Sequence, residues 1–508
     1  MNRWTLGVAA AIALGVAFRF VGLEQHVFWH DEVYTKFFAS GFRASDWKAV
    51  LFTGNVLDVD QVLAFQRPSP EKGVLDTILG LAHDEPQHPP LYYLLARMWV
   101  GFFGDGIGAL RALSAVLSLT ALPGMWAFCR EATGSARTAW TGTALLAVSP
   151  FFILYAQEAR EYALWSSLTL WACSALLAAV RITKGGGPSF AMWAGFSALT
   201  ALSLYTAMSA VPVILAQIGF VVLSERGRFT RTSLSAAAAM AASAVAFLPW
   251  AAMIWVNLEA FQISMAWSRA VTVPQTEVIG TFLLNVSRPL LDFGVEYAPV
   301  GPATVISVAV GTLVIATSVA EFRQIRGRIL IGLLAVIPIA MLVLPDLMFG
   351  GIRSLSARYL TASFLALQVM LAHALRERPA AFAIVVGLGL GSAVSNALQP
   401  AVWTKSISND LPAVAEIINA TPTPVVVGNM ERHHPGNLLA LCHLLKPGTK
   451  LQFLDHGVHY TVPTEFSDVF LFSPIQPFLE DLEARNPAKA EKLLEKRHLS
   501  LWRVEREQ

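Results

Sequence analysis

Four polar clusters hold most of the chemistry that the first 399 residues could perform. Phe28-Trp29-His30-Asp31-Glu32 sets two adjacent carboxylates beside aromatic rings. A carboxylate there can take the proton of an acceptor hydroxyl, or, at a helix start, simply match the positive end of the helix dipole. His83-Asp84-Glu85-Pro86-Gln87-His88-Pro89-Pro90 is denser. Proline is favoured at a first helical position, so an apolar helix should begin at Pro89-Pro90, with Asp84, Glu85 and His88 just ahead of it. These residue types can hydrogen-bond a sugar, ligate a divalent cation through oxygen and imidazole, or cap the helix.

The third cluster, Tyr155-Ala156-Gln157-Glu158-Ala159-Arg160-Glu161-Tyr162, joins two apolar runs. Glu158 and Arg160 need solvent or partners there. A guanidinium such as that of Arg160 binds phosphate oxygens through two parallel hydrogen bonds, and it suits a glutamate or a lipid headgroup equally well. The fourth, Arg353-Ser354-Leu355-Ser356-Ala357-Arg358-Tyr359, leads into a late apolar run. Arg358 fits a lipid phosphate or a snorkelling anchor. Arg269 and Arg288 are weaker examples of the same kind. Beyond residue 400, His433, His434, His443, His456 and His459 match no strong metal spacing and read as surface histidines.

The elements that must position these clusters belong to a polytopic membrane protein. Of the 508 residues, 55% are hydrophobic and 14% charged, whereas soluble domains carry roughly 25% charged residues. The net charge of +2 identifies no partner, and no nucleic-acid partner is expected. Cys129, Cys173 and Cys442 are isolated and suggest neither a disulfide framework nor a metal site. A spanning helix needs about 20 apolar residues. Runs of that kind lie at 4–23, 110–129, 138–156, 161–180, 189–205, 207–223, 233–256, 297–320, 329–349, 358–375 and 380–398. The first follows Arg3, carries no small-residue cleavage site and reads as a span with a cytoplasmic N-terminus.

Residues 91–103 are too short for that list and contain Arg97. A run of about 10–14 residues suits the interface, as do Tyr92, Tyr93 and Trp99. The positive-inside rule agrees. With 91–103 held at the surface, five basic loops share the cytoplasmic side: Arg130 and Arg137; Arg181 and Lys184; Arg226, Arg228 and Arg231; Arg323, Arg326 and Arg328; Arg376 and Arg378. All four polar clusters then share the opposite side. The long first loop, 24–109, should hold helices near 31–40, 44–52 and 71–82. After Gln399-Pro400 the composition becomes more polar. Residues 400–508 read as a small extracytoplasmic α/β domain, with strands at 424–428, 450–454, 468–472 and around 500, and helices at 413–420, 436–445 and 478–494.

Taken in order, Asp31-Glu32, His88-Pro89-Pro90-Leu91-Tyr92-Tyr93-Leu94-Leu95 and the cluster from Tyr155 to Leu164 resemble bacterial polytopic glycosyltransferases of the GT-C fold. The likeness is to the branch related to protein O-mannosyltransferases, aminoarabinose transferases and lipopolysaccharide galacturonosyltransferases. It is strongest over residues 84–180, and Arg358-Tyr359 extends it. The eleven apolar runs give an all-α polytopic transmembrane bundle of about 11 spans, GT-C-like, with interfacial helices in the first external loop. Residues 1–399 would form this membrane domain and residues 400–508 the small C-terminal α/β domain.

The implied activity moves a hexosyl or pentosyl group from a polyprenyl-phosphate donor to a glycan, lipid or protein acceptor. It would run on the extracytoplasmic face of the bacterial plasma (inner) membrane, with inversion. Asp31 matches the catalytic acidic residue, and Glu32 stands beside it. Asp84, Glu85, His88, Tyr92, Gln157, Glu158, Arg160, Tyr162, Arg353, Arg358 and Tyr359 would line the substrate, with the arginines near the lipid phosphate. No cofactor is certain and a divalent cation stays open. The insert around 54–72 departs from the pattern and would alter the acceptor entrance. A lipid transporter or flippase would instead carry its charges at mid-membrane on broken helices, and an inactive glycolipid-binding relative would not need the Asp31-Glu32 pair.

Overall fold

The apolar runs become helices, as their length and composition require. A computed structural model describes residues 3–271, 273–294, 301–429, 434–455, 462, 466, 468–485 and 488–506. Among them, six helices are long and apolar enough to cross a membrane: Ile107–Thr133, Tyr162–Lys184, Arg231–Val256, Thr304–Gln324, Arg328–Phe349 and Pro379–Ala397. The pair Ala136–Val148 and Pro150–Ala156 makes a seventh, bent by 60°. The shorter apolar helices are Arg3–Phe18, Leu91–Phe103, Phe190–Leu204 and Ala210–Ser224. Thr361–Leu375 is also helical, and nearly every side chain on it is buried. Each apolar run listed above therefore coincides with a helix. Residues 297–300 lie outside the described residues.

The chain divides into two units. The first comprises Met1–Leu23, Leu81–Tyr92 and Arg111–Leu398. Its bend at Ser149-Pro150 has a clear cause. Proline has no N–H and disfavours helical geometry in the residue before it, and Ser149 is extended at φ −64°, ψ 119°. The break strands carbonyls one turn back, which hydrocarbon surroundings do not tolerate. Arg19 donates to two of them, to Ala147 O at 2.6 Å and Leu146 O at 3.1 Å. Gln157, at the far end of the bent pair, donates to Phe18 O at 2.6 Å and Val21 O at 2.7 Å. Gly15 permits the close crossing: a Cβ there would lie 2.2 Å from Ala147 O.

The second unit comprises Glu24–Gly80, Tyr93–Leu110 and Gln399–Gln508. It holds a six-stranded mixed sheet in the order β1-β3-β2-β4-β6-β5, formed by Thr53–Asp58, Pro424–Asn429, Lys450–Leu454, Asp468–Phe472, Ala488–Glu495 and Ser500–Arg506 for β1 to β6. The central β2 runs parallel to β3 and β4. Its residues, and those of β3 and β4, are almost all buried, as expected of strands covered on both faces.

Both edge strands depart from the sequence reading. β1 comes from the first loop and pairs antiparallel with β3. β5 occupies residues assigned above to a helix: the helix Gln476–Arg485 ends early, and Ala488–Glu495 pairs antiparallel with β6. Its Ala-Lys-Ala-Glu-Lys-Leu-Leu-Glu composition favours helix locally, yet charged residues are also what an exposed edge tolerates, and pairing with β6 overrides local preference.

Candidate active site

The first unit assembles three of the four clusters. The turn before the Leu91–Phe103 helix is fixed by Trp250 Nε1 donating to Pro86 O at 3.2 Å and by Leu91 N–H donating to Tyr205 O at 3.0 Å. Ser264 donates to Gln87 Oε1 at 2.7 Å, and Gln87 in turn donates to Glu85. His83, on the exposed side, meets Asn257 at 3.1 Å. Asp84 is half-buried.

His88 then faces the loop that the bent helix pair delivers. Its Nδ1 lies 3.6 Å from Glu161 Oε1 and its Nε2 lies 3.5 Å from Arg160 Nη2. His88 therefore stands between the carboxylate of Glu161 and the guanidinium of Arg160. Arg160 also grips Glu161 directly, Nε to Oε2 at 3.3 Å and Nη2 to Oε1 at 3.4 Å. Tyr92 braces the same loop from below: its hydroxyl meets Ser114 Oγ at 2.6 Å, and Ser114 donates to Arg160 O at 3.3 Å. Glu158 and Arg160 are both buried. Immediately after Glu161, the Tyr162 ring lies 5.9 Å from the Arg358 guanidinium, which is also 5.4 Å from the Tyr359 ring. Cation–aromatic contacts of this kind help to position a guanidinium.

The remaining residues of the predicted set have partners of a different kind. Arg353 Nη1 lies 2.7 Å from Asp346 Oδ1, and Asp346 Oδ2 accepts from Ser354 N–H at 2.7 Å and Ser354 Oγ at 2.8 Å. Arg353 thus ties down the loop that presents Arg358, and Asn285 holds that loop through Leu355 O at 2.9 Å. Gln157 is spent on the end of the first helix, as described above. Arg288 is buried against Asp292 at 3.4 Å, and Arg269 donates to Gln262 O.

Two residues of this neighbourhood were not singled out from the sequence. Glu161 lay within a quoted cluster, and its signal was the same as that of Glu158, a carboxylate between apolar helices. Asp346 was an acid in the last turn of an apolar run. Among the described residues, no group of three or more His, Cys, Asp or Glu side chains could hold a metal ion. Arg160 bridges His88 and Glu161.

Asp31 and Glu32 belong to the second unit, in the first turn of the helix His30–Ala39. The two carboxylates differ. Glu32 is fully buried with Oε2 3.1 Å from Lys405 Nζ, while Asp31 is partly exposed. Lys36, one turn further on, is buried near Asp105 at 4.0 Å. Burial pulls its ammonium down to about 8, with Asp105 opposing and Arg67 adding to the effect. His443 packs edge-on to Phe28 and meets Gln66 Oε1 at 2.8 Å, so it is not a mere surface histidine. His433, His456 and His459 lie outside the described residues, and only the backbone of His434 is described.

The chain has the GT-C fold of polytopic membrane glycosyltransferases, as the sequence resemblance implied. In particular it is similar to ArnT from Cupriavidus metallidurans. Against the structure bound to undecaprenyl phosphate, identity is 12% with a TM-score of 0.59, covering 98% of each chain. Against the apo structure, identity is 12% with a TM-score of 0.58, covering 99% of this chain and 98% of the other. Residues 87–255 match the sequence model of the dolichyl-phosphate-mannose-protein mannosyltransferase family. That segment contains His88, Tyr92, Arg160 and Glu161. No curated protein matches the chain in sequence.

Proposed function

We propose that the protein is a membrane glycosyltransferase that moves a sugar from a polyprenyl-phosphate donor to an acceptor hydroxyl on the extracytoplasmic face. The observation that carries this reading is the Arg160–Glu161–His88 cluster, at the mouth of a bent apolar helix pair and inside the segment that matches the family, with Arg358 beside Tyr162. A fold alone does not specify chemistry; guanidinium groups such as those of Arg160 and Arg358 can bind phosphate oxygens through parallel hydrogen bonds. The undecaprenyl phosphate bound to ArnT has the matching chemistry, an anionic head on a hydrocarbon tail.

In the proposed reaction Asp31 takes the proton of the acceptor hydroxyl. The acceptor oxygen forms its bond to the anomeric carbon as the bond from that carbon to the phosphate oxygen breaks. The electron pair leaves with the lipid phosphate, and Arg160 and Arg358 stabilise the growing charge. One displacement inverts the anomeric configuration. Glu161 and His88 orient Arg160, Tyr92 fixes the loop through Ser114, and Glu32 is given to positioning rather than to proton transfer. Asp84, Glu85, Glu158, Tyr162 and Tyr359 complete the proposed lining. A divalent cation would add to the stabilisation of the phosphate without replacing either arginine.

The proposed topology has eleven spans, a cytoplasmic N-terminus and the basic loops inside, in a bacterial inner membrane. Residues 400–508 would then lie outside the cytoplasm together with the first loop. The acceptor is a glycan, lipid or protein. The test is turnover by purified protein in nanodiscs with a panel of polyprenyl-phosphate sugars and hydroxyl acceptors. Release of free polyprenyl phosphate that depends on acceptor is expected; absence of release across the panel would overturn the reading.

A further inference from the structure

We infer that Lys405, Ser408 and Asn437, all distant in sequence from the first loop, are positioning residues for Asp31. The inference rests on the reading of Asp31 as the base, and three observations within the second unit carry it.

The first concerns how the Asp31 helix begins. The first N–H groups of a helix need acceptors, usually a hydroxyl or carboxylate on the residue just before the helix. Here that residue is Trp29, which is extended and supplies no side-chain cap. The acceptor is Ser408 Oγ, 3.2 Å from His30 N. Ser408 donates on to Asn437 Oδ1 at 2.7 Å, and Asn437 Nδ2 donates to Ile407 O at 2.8 Å. Both side chains are wholly buried. The cap of this helix is therefore built from the other end of the chain.

The second observation is the Glu32–Lys405 pair. Its side chains are 0% and 3% exposed, and the Lys405 ammonium also lies 5.5 Å over the Trp29 ring. A buried ion pair adds little net stability, because desolvation offsets the attraction, but losing one partner strands the other charge. Such a pair fixes geometry more than it holds the fold. The third is Gly436, next to Asn437: a Cβ there would lie 2.2 Å from His30 Nδ1, so the close approach of this backbone requires glycine. His30 and Glu32, the residues on either side of Asp31, are thus both held by one short stretch after the last apolar helix and by Gly436 and Asn437 in the helix His434–Leu441.

A displacement of about 1 Å at a reacting group can cost about a hundredfold in rate. Lys405→Met is therefore expected to lower kcat about ten- to a hundredfold. The KM for the lipid donor should stay within about twofold, since no donor contact is removed. Lys405→Arg should restore most of the loss. Hydrogen exchange of the backbone at residues 30–34 should quicken in Lys405→Met and in Ser408→Ala. If Lys405→Met does not fold, Ser408→Ala and Asn437→Ala make the same comparison. Unchanged kcat in folded variants, or a loss confined to donor KM, overturns the inference while leaving the transferase reading intact. If the wild-type protein transfers no sugar, the transferase reading fails separately. The exchange measurement then judges the anchoring alone, and unchanged exchange at 30–34 overturns it.

Discussion

Asp31 and Glu32 are neighbours in sequence and opposites in environment. Glu32 is sealed against Lys405, and Asp31 is partly exposed one position earlier. Among the arginines, Arg353 is held by Asp346, and Arg358 lies against the rings of Tyr162 and Tyr359. A charge-assisted hydrogen bond contributes about 1.5–3 kcal/mol, so Arg358→Ala should raise the donor KM about ten- to a hundredfold. An unchanged donor response in titrations of the lipid-linked sugar would reduce Arg358 to an anchor. Lys36 gives a residue-scale prediction in pH. Its ammonium falls from 10.5 to about 8 on folding. Between those values the unfolded chain binds more protons than the folded one, so this group makes stability rise with pH across that interval. Denaturation midpoints measured from pH 7.5 to 10.5 should rise in the wild type relative to Lys36→Met; parallel profiles would contradict the assignment.

At the scale of elements, the bent helix pair does most to shape the first unit. Ser149-Pro150 breaks the helix, Arg19 takes up the stranded carbonyls, and the second half ends in the loop carrying Arg160 and Glu161. Gly15 makes that arrangement possible at its crossing with the first helix. Gly15→Ala should cost about 1–3 kcal/mol, because the new methyl meets backbone that must move. Gly7→Ala, with nothing within 4 Å of a Cβ, should be near neutral in the same thermal-unfolding experiment. Equal midpoints would argue against the close crossing.

The helices themselves were legible because apolar runs of that length have few alternatives, and β2, β3 and β4 because buried strands read as apolar blocks. β1 and β5 were not, since edge strands carry polar and charged residues that look like loop or helix. The site was legible in the same uneven way. His88, Arg160 and Arg358 stood out as polar residues beside apolar runs. The partners that define their roles lie far off in sequence: Glu161 meets His88 across 73 positions and Lys405 meets Glu32 across 373.

For the molecule as a whole, the account requires the basic loops on one side of the membrane and the first loop on the other. Glu71 and Arg228 are exposed, and the three native cysteines are buried, so engineered thiols at these two positions can be read separately. In right-side-out vesicles an impermeant thiol reagent should label Glu71→Cys directly and Arg228→Cys only after permeabilisation. Labelling of both from outside would put the two loops on one side and contradict this topology. Sugar transfer with Asp31 as the base is tested by acceptor-dependent release of polyprenyl phosphate from reconstituted wild-type protein beside Asp31→Asn. The account predicts steady release by the wild type and a loss of about 10²–10⁴-fold in a variant that still folds. Equal release by the two proteins would contradict it.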